Sequence, residues 1–498
     1  MDSLEKNIKH GVTGPISTKE ATDEDQKKDK EMDMYLRACG FFEDESMGQT
    51  RERVLGRLNH LLKEFVFAMA EKRKIVSDGK NIYGGKIFTF GSYRLGVHSK
   101  GADIDVLCIV PKHVTRKDFF VNFYFMLEKE KDIKDLTKIE EAYVPLIKLK
   151  IQDIPIDLTF ARLNVSSVKD NINLLNNSIL KNMDEKCVLS LNGSRVTDEI
   201  LNLVPNINTF HSALRCIKYW AKRRCIYGNS YGYFGGVAFS ISVARVCQMF
   251  PNASSYFIVG KYFETYASWK WPSPVILKPI IDLSYNMKVW DPKVYPSDKY
   301  HKMPVITPAY PSICSTHNVT NSTQNLIQKE FQRANEILNL KDDDLNCIST
   351  PVTSILKDLF TLSDFFRDHK FFLQVLVLST EEDLFGAWEG FVESKIRILA
   401  TKMENIEDVS FAYPFPQPFR MEGSKINPKF VCCTAFFVGF ELTSSKVTKK
   451  IYVNQPVEEF VGFINDYERK TSSMSIEIKI LKRREVHNFL SVYYSNEK

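Results

Sequence analysis

The chain has no cysteine pair in C-x-x-C spacing, although it holds 10 cysteines, so it carries the pattern of neither a zinc ribbon nor a redox dithiol. It lacks any apolar run near the roughly 18 to 20 residues that cross a bilayer; the longest is VCCTAFFVGF. The polar start MDSLEKNIKH has no apolar core of a secretory signal. Repeats and low-complexity tracts are absent. Neither charge sign dominates: 67 basic against 61 acidic residues leave +6, which tolerates an acidic partner such as nucleic acid without demanding one. These absences lead to the expectation of a soluble intracellular protein without disulfides, in which Cys432 and Cys433 pack rather than ligate.

What is present is a 498-residue chain with 44% hydrophobic and 26% charged residues, enough for about three domains with cores of their own. The first 30 residues are polar and read as an extended arm. From Arg51 to Ala70 the residues Val54, Leu58, Leu61, Leu62, Phe65 and Met69 recur at helical spacing. KIFTF reads as a strand, GSYRLG as a turn into a short helix, and ADIDVLCIV, VPLIKLKI and IPIDLTFA as further strands, the last two joined by the turn QD. Helical patterns follow from Asn208, including one after Gly235-Gly236. The last 140 residues or so alternate strand-like runs (KFFLQVLVL, KFVCCTAFFVGFEL, KKIYVNQP, IEIKIL) with helices at WEGFVESKIRILATKM and VEEFVGFIND, an α+β order common among RNA-binding modules.

The chemistry concentrates in GADIDVL. Asp103 and Asp105 are two apart, so in a strand they face one point. Like charges that close raise one another's pKa unless something neutralises them, and a divalent metal does so. Asp157 interrupts the apolar run IPIDLTF and completes an oxygen cage of the kind Mg²⁺ prefers. Two ions about 3.5 to 4 Å apart could activate a hydroxyl and stabilise a leaving pyrophosphate. D-x-D alone is equally an exposed edge with solvated acids. Gly91-Ser92, between a strand and a helix, offers N–H groups and a hydroxyl for phosphate. Gly-Ser, D-x-D eleven residues on, and a strand Asp about fifty residues further form the signature of the nucleotidyltransferase superfamily with a polymerase-β-like palm.

The stretch GGKIFTFGSYRLGVHSKGADIDVLCIVPKHVTRKDFF resembles the catalytic core of eukaryotic nuclear poly(A) polymerases. So do LNGSRVTDEILNLVPN, IKYWAKRRCIYGNSYGYFGGVAFSISVARVCQMFPNA, WKWPSPVILKP, HKMPVITPAYP and GFVESKIRIL. The resemblance implies a multidomain α/β, α and α+β chain. An arm at 1–18 would pack on the middle domain, followed by a nucleotidyltransferase palm at 19–203, a helical central domain at 204–354 and an RRM-like RNA-binding domain at 355–498. It implies template-independent addition of AMP from ATP to RNA 3′ ends with two Mg²⁺ ions, Mn²⁺ being the alternative. Asp103, Asp105 and Asp157 would bind the ions, with Asp157 also near the primer 3′-hydroxyl.

By the same resemblance Phe90, Gly91 and Ser92 would line the ATP phosphate site, with Lys218, Tyr227 and Asn229 as further nucleotide contacts and Gly236-Val237 against the adenine. From pattern alone Lys218 would be a solvated lysine, Tyr227 a packing residue and Gly236 a plain helix start. Tyr143, Val144, Lys148, Asn192, Asn318, Lys395 and Arg397 would meet RNA; the bland alternatives are a strand's solvent face for Lys148 and salt-bridged surface for Lys395 and Arg397. The implied setting is a monomer in the nucleus, away from membranes, recruited by cleavage and polyadenylation factors. The cluster Lys482, Arg483, Arg484 is the one resemblance to an import signal. A uridylyl- or CCA-adding enzyme shares the palm, and a catalytically dead RNA-binding scaffold would have lost a metal carboxylate; all three are here.

Overall fold

The computed structural model describes residues 11–75, 84–339, 351–423, 428–443 and 452–496. Its first sheet runs β1 (Lys86–Phe90), β2 (Ile104–Val110), β5 (Ile154–Arg162), β4 (Leu146–Ile151), β3 (Ile133–Ile139). β2 and β5 are parallel, and the other pairs are antiparallel. Gln152 and Asp153 join β4 to β5 with φ of 51° and 60°, the positive angles that let a two-residue turn follow the strands' twist. The expected helical face on Arg51–Ala70 belongs to α2 (Glu45–Lys72), whose Val54, Leu58, Leu61, Leu62, Phe65 and Met69 are all buried. Together with Phe119, Phe120 and Phe123 they form the sheet's core with Ile104, Val106, Ile156 and Leu158.

The first 30 residues depart from the expected extended arm. α1 (Asp23–Ala38) starts at a capping box in which Thr22 and Asp25 exchange backbone–side-chain bonds of 2.9 and 3.2 Å. Only Met32 and Leu36 of this polar helix are fully buried, too sparse an apolar stripe for periodicity to reveal. Its Asp29 carboxylate accepts the Ser255 and Tyr256 N–H groups (3.0 and 2.7 Å), capping α7 (Ser255–Ala267) from outside. α1 thus sits on the helical layer, although the expected boundaries put it with the palm. Ahead of it, Ile16 and Ser17 donate to Met249 O, and Asn252 donates to Thr18 O. Residues 1–10 of the expected arm lie outside the described residues.

The helical layer holds α4 (Glu185–Leu203), α5 (Ile207–Arg223), α6 (Gly236–Met249), α7, α8 (Asn321–Asn339) and α9 (Val352–Leu359). Trp220, Phe263 and Phe331 meet at its centre with ring centroids 4.7 and 5.8 Å from Trp220.

The last sheet runs β10 (Met474–Lys482), β6 (Phe371–Ser379), β9 (Cys432–Leu442), β7 (Val409–Pro414), with β8 (Phe419–Glu422) also on β9. Alternate residues of β6 and β9 face two ways. Leu373, Val375, Phe436 and Val438 meet α10 (Phe385–Glu404) and the helical layer, while Phe372, Leu376, Cys433 and Phe437 meet Val486 and Phe489 of α12 (Arg483–Asn496). The run KKIYVNQP, expected as a strand, begins outside the described residues and ends in α11 (Asn454–Asn465); Gln455 and Pro456 sit in that helix's first turn. Tyr231 Oη donates to Glu393 (2.9 Å), Tyr233 Oη to Pro414 O (2.8 Å), and Arg224 grips Glu330 with two bonds of 2.8 and 2.9 Å. The two tyrosine bonds tie the helical layer to α10 and β7, while the Arg224–Glu330 pair lies within that layer and joins the end of α5 to α8.

Candidate active site

Parallel pairing sets Asp105 directly beside Asp157 on β2 and β5, and Asp103 precedes β2 on the same side. One carboxylate oxygen from each lies within 4.8 Å of the others. Burial pushes the Asp105 carboxyl up to about 7, reinforced by Asp103 and Asp157 and opposed by Lys148 and Lys218. Burial also raises Asp157, with Lys148 acting against it. An all-oxygen set of three carboxylates whose own protein cations leave it this short of positive charge fits a hard divalent ion.

Gly91 explains the turn beside them. Its φ is +63°, and a Cβ there would lie 2.1 Å from Asp105 Oδ2, so only glycine lets the chain pass the carboxylate. Its N–H donates to Thr197 Oγ1 (3.3 Å), which in turn donates to Gly193 O (2.8 Å). That N–H, expected to face phosphate, is therefore engaged by α4, and Ser92 follows as the second residue of the single turn α3 (Gly91–Arg94) without this tie. Phe90 lies over Gly193, where a Cβ would come within 2.7 Å of the ring. Arg94 pairs with Asp198 (2.9 Å). Thr197 and Asp198 are functional supports that sequence reasoning missed; the glycine inside helix LNGSRVTD was the available signal.

Lys218 is buried rather than solvated, and its Nζ donates to Val97 O (3.3 Å). Burial lowers its pKa to about 8, with Lys222 adding to the fall while Asp103 and Asp105 oppose it. Tyr227 stacks on Phe239 at 5.7 Å and 4°, and its hydroxyl would meet a Cβ on Gly236 at 3.0 Å. Burial first, then Asp103 and Asp105, push that phenol up to about 12, so it stays a neutral donor. Asn229 Oδ1 is buried without a partner among the described residues. Val237, on the first turn of α6, is 41% exposed, an apolar surface left open beside the carboxylates' side of the layer. Lys222, not singled out from sequence, lies 5.6 Å from the Tyr227 ring.

The residues expected at RNA are less gathered. Lys148 stands opposite Asp157 on β4, with Nζ 2.7 Å from Oδ2. Tyr143 is 75% exposed, just before β4 and next to the half-buried Val144. Asn192 is buried on α4 beside Gly193, its Oδ1 unpartnered among the described residues. Asn318 Nδ2 donates to Asn229 O (3.1 Å), and Asn318 O and Arg397 Cδ both flank Gly232. Lys395 instead lies 5.3 Å from the Phe391 ring, because residues two apart on α10 point to different sides. Arg397 therefore joins the nucleotide loop and Lys395 does not.

Family models match almost end to end: the poly(A) polymerase nucleotidyltransferase domain over residues 11–204, its central domain over 209–345, and its predicted RNA binding domain over 364–429 and 421–498. The chain belongs to the poly(A) polymerase family. Poly(A) polymerase pla1 of Schizosaccharomyces pombe is 45% identical over 82% of this chain and 71% of its own length. Two Candida albicans relatives are poly(A) polymerase PAPa, 44% identical over 83% of this chain and 73% of its own, and PAPalpha, 39% identical over 98% and 92%. A solved structure of the Cid1 poly(U) polymerase aligns over 68% of this chain and 99% of its own at 16% identity, with a TM-score of 0.45. Membership in the family implies nucleotidyl transfer with a divalent metal. No helix among the described residues is long and apolar enough to cross a membrane.

Proposed function

We propose that this chain extends RNA 3′ ends with AMP from ATP, without a template, releasing pyrophosphate. The observation that carries the proposal is the three-carboxylate cluster, within 4.8 Å, beside a turn that only glycine fits. The 3′-oxygen of the primer forms a bond to the α-phosphorus of ATP while the α–β bridging bond breaks, and the hydroxyl proton is lost to solvent or base. Asp103, Asp105 and Asp157 would hold two Mg²⁺ ions, with Mn²⁺ as the alternative; when bound, they supply activation of the hydroxyl and charge neutralisation at the leaving group.

The chain's own residues do the rest. Lys218, buried near Asp103 and Asp105, offers a point charge to the triphosphate. Tyr227 offers a neutral hydroxyl, and Asn229 an unpartnered carboxamide oxygen. Ser92 with Phe90 and Gly91 borders the phosphates, and Gly236-Val237 presents backbone and a small apolar side chain to the adenine. Tyr143, Val144, Lys148, Asn192, Asn318 and Arg397 line the primer's path, with Lys395 reaching a more distant phosphate. Because these groups come from separate layers, closure around both substrates precedes chemistry.

The family supports pre-mRNA processing as the setting, hence action in the nucleus as a monomer recruited by cleavage and polyadenylation factors. Arg483 Nε is engaged by His369 O (2.9 Å), so the KRR cluster is partly built into the fold, and the nuclear assignment rests on family. The test incubates the protein with a labelled oligo(A) primer, Mg²⁺ and each NTP separately. A ladder with ATP alone is expected; a ladder with UTP or CTP instead would overturn the adenine assignment.

A further inference from the structure

A groove of about 560 Å³ lies between α8, the loop after α7 and the edge of the last sheet. Its floor is one face of α8, where Asn321, Gln324, Asn325 and Gln328 follow the i, i+3, i+4, i+7 spacing of a single helical stripe. Four neutral carboxamides in such a row are unusual for a helix surface, which ordinarily presents charges. The two at one end are pinned: Gln328 Nε2 donates to Ala267 O (2.6 Å), and Asn325 Oδ1 accepts from Tyr413 Oη (3.1 Å). The Asn321 and Gln324 carboxamides have no hydrogen-bond partner among the described residues.

The walls are aromatic. Trp269 and Trp271, with ring centroids 6.0 Å apart, form one side, and Phe411 on β7 the other. Lys270 lies among the lining residues and Lys329 sits near the Phe411 ring at 5.9 Å, while no acidic side chain lines the groove. Aromatic faces for stacking, a carboxamide that offers a donor and an acceptor side by side, and flanking lysines are the ingredients that bind a single-stranded nucleic acid. The donor–acceptor pair of Asn or Gln matches adenine N7 and N6 in particular. An extended polypeptide could use the carboxamides as well, but it has less use for stacking walls and paired cations.

Two parts of the groove's lining adjoin elements of the proposed nucleotide site. Asn318, three residues ahead of Asn321, donates to Asn229 O (3.1 Å), and Trp271 makes an edge contact at 6.4 Å with Phe234, which precedes Gly235-Gly236. From Asn321 to Gln328 the stripe spans about 10 Å at the helical rise, room for one or two nucleotides.

We infer that this groove is a second, adenine-reading subsite, which holds the tail already made upstream of the reacting 3′ end, with Asn321 and Gln324 reading bases stacked against Trp269, Trp271 or Phe411. The inference rests on the proposed RNA polymerising function and adds to it a selectivity for what lies behind the primer end.

The test compares two labelled 15-nucleotide primers that share five 3′-terminal adenylates, one with adenylates and one with cytidylates in the upstream ten. Binding is read by fluorescence anisotropy for the wild-type chain and for the Asn321→Ala/Gln324→Ala variant, whose lost groups have no partners in the fold. The wild type should favour the all-adenylate primer by at least about fivefold, the low end for one bidentate base contact; the variant should bind both alike. Equal affinities in the wild type, or a preference that survives the substitutions, overturns the subsite and leaves the groove to a polypeptide. Extension of both primers with ATP, run in parallel, separates the two readings. A protein that extends both yet binds them equally contradicts only the groove, and one that extends neither contradicts the polymerase.

Discussion

Lys148 and Asp157 face each other across β4 and β5, and the lysine Nζ lies 2.7 Å from Asp157 Oδ2. The ammonium thus stands at a carboxylate that also belongs to the metal-ligand cluster. Lysine and divalent ion are like charges competing for one partner, and binding of either weakens the other by the same factor. The lysine side chain is 48% exposed, so it can turn from Asp157 to a primer phosphate. Lys148→Met should therefore bind Mn²⁺ about threefold to fivefold more tightly without RNA, within the range for a partly exposed pair, and bind primer more weakly. Titration followed by electron paramagnetic resonance checks the first, anisotropy the second. Weaker Mn²⁺ binding would mean that Lys148 orients Asp157 instead.

Asp105 is held against its own ionisation in the metal-free protein. Its folded pKa of about 7 stands above the ordinary 3.8, so between these values the folded state binds the extra proton and stability falls as pH rises. Above pH 7 the full cost is present; near pH 4 it is gone. Asp105→Asn should melt at least about 2 °C above wild type at pH 8 without metal, and the gap should narrow as pH falls toward 4. Differential scanning fluorimetry in EDTA reads both.

Gly91→Ala places a methyl on Asp105 Oδ2 in a left-handed conformation. A cost of about 1 to 3 kcal/mol in stability and a loss of at least about 100-fold in extension rate are expected, since misplacing a reacting group by about an ångström has effects of that size. Denaturant unfolding and primer extension measure the two.

Arg224→Ala should be among the more damaging substitutions away from the site. It removes one of the two guanidinium partners of Glu330, whose side chain is 8% exposed, leaving Arg333 on Oε2 at 3.0 Å, and breaks bonds to Thr361 O and Leu362 O of 2.7 and 2.8 Å. A loss of about 2 to 3 kcal/mol is expected for charge-assisted hydrogen bonds removed from a buried carboxylate that keeps one cation. The double variant Arg224→Met/Glu330→Leu should recover part of it in the same unfolding assay.

Much of the site was legible because strand alternation is a strict period: once GADIDVL was a strand, Asp103 and Asp105 had to share a side, and the apolar run around Asp157 marked it as the third carboxylate. Long-range register was not legible. Nothing local sets Lys148 against Asp157, ties the Gly91 N–H to Thr197, or brings Arg397 beside Gly232 of the nucleotide loop. Lys218 read as solvated because a buried lysine breaks the helical pattern, and burial is decided by α5's neighbours. The helix at Asp23–Ala38 escaped because Met32 and Leu36 alone anchor it while its caps are polar. Partners from elsewhere in the chain, Ser255 and Tyr256 among them, complete it.

The central claim is that the three carboxylates form the site of adenylate transfer to RNA, and the most direct measurement is extension of an oligo(A) primer by ATP and Mg²⁺ with wild type and Asp105→Ala side by side. The wild type should give a ladder, and the variant none while melting no lower than wild type in EDTA. A ladder of similar rate from the variant would contradict the account.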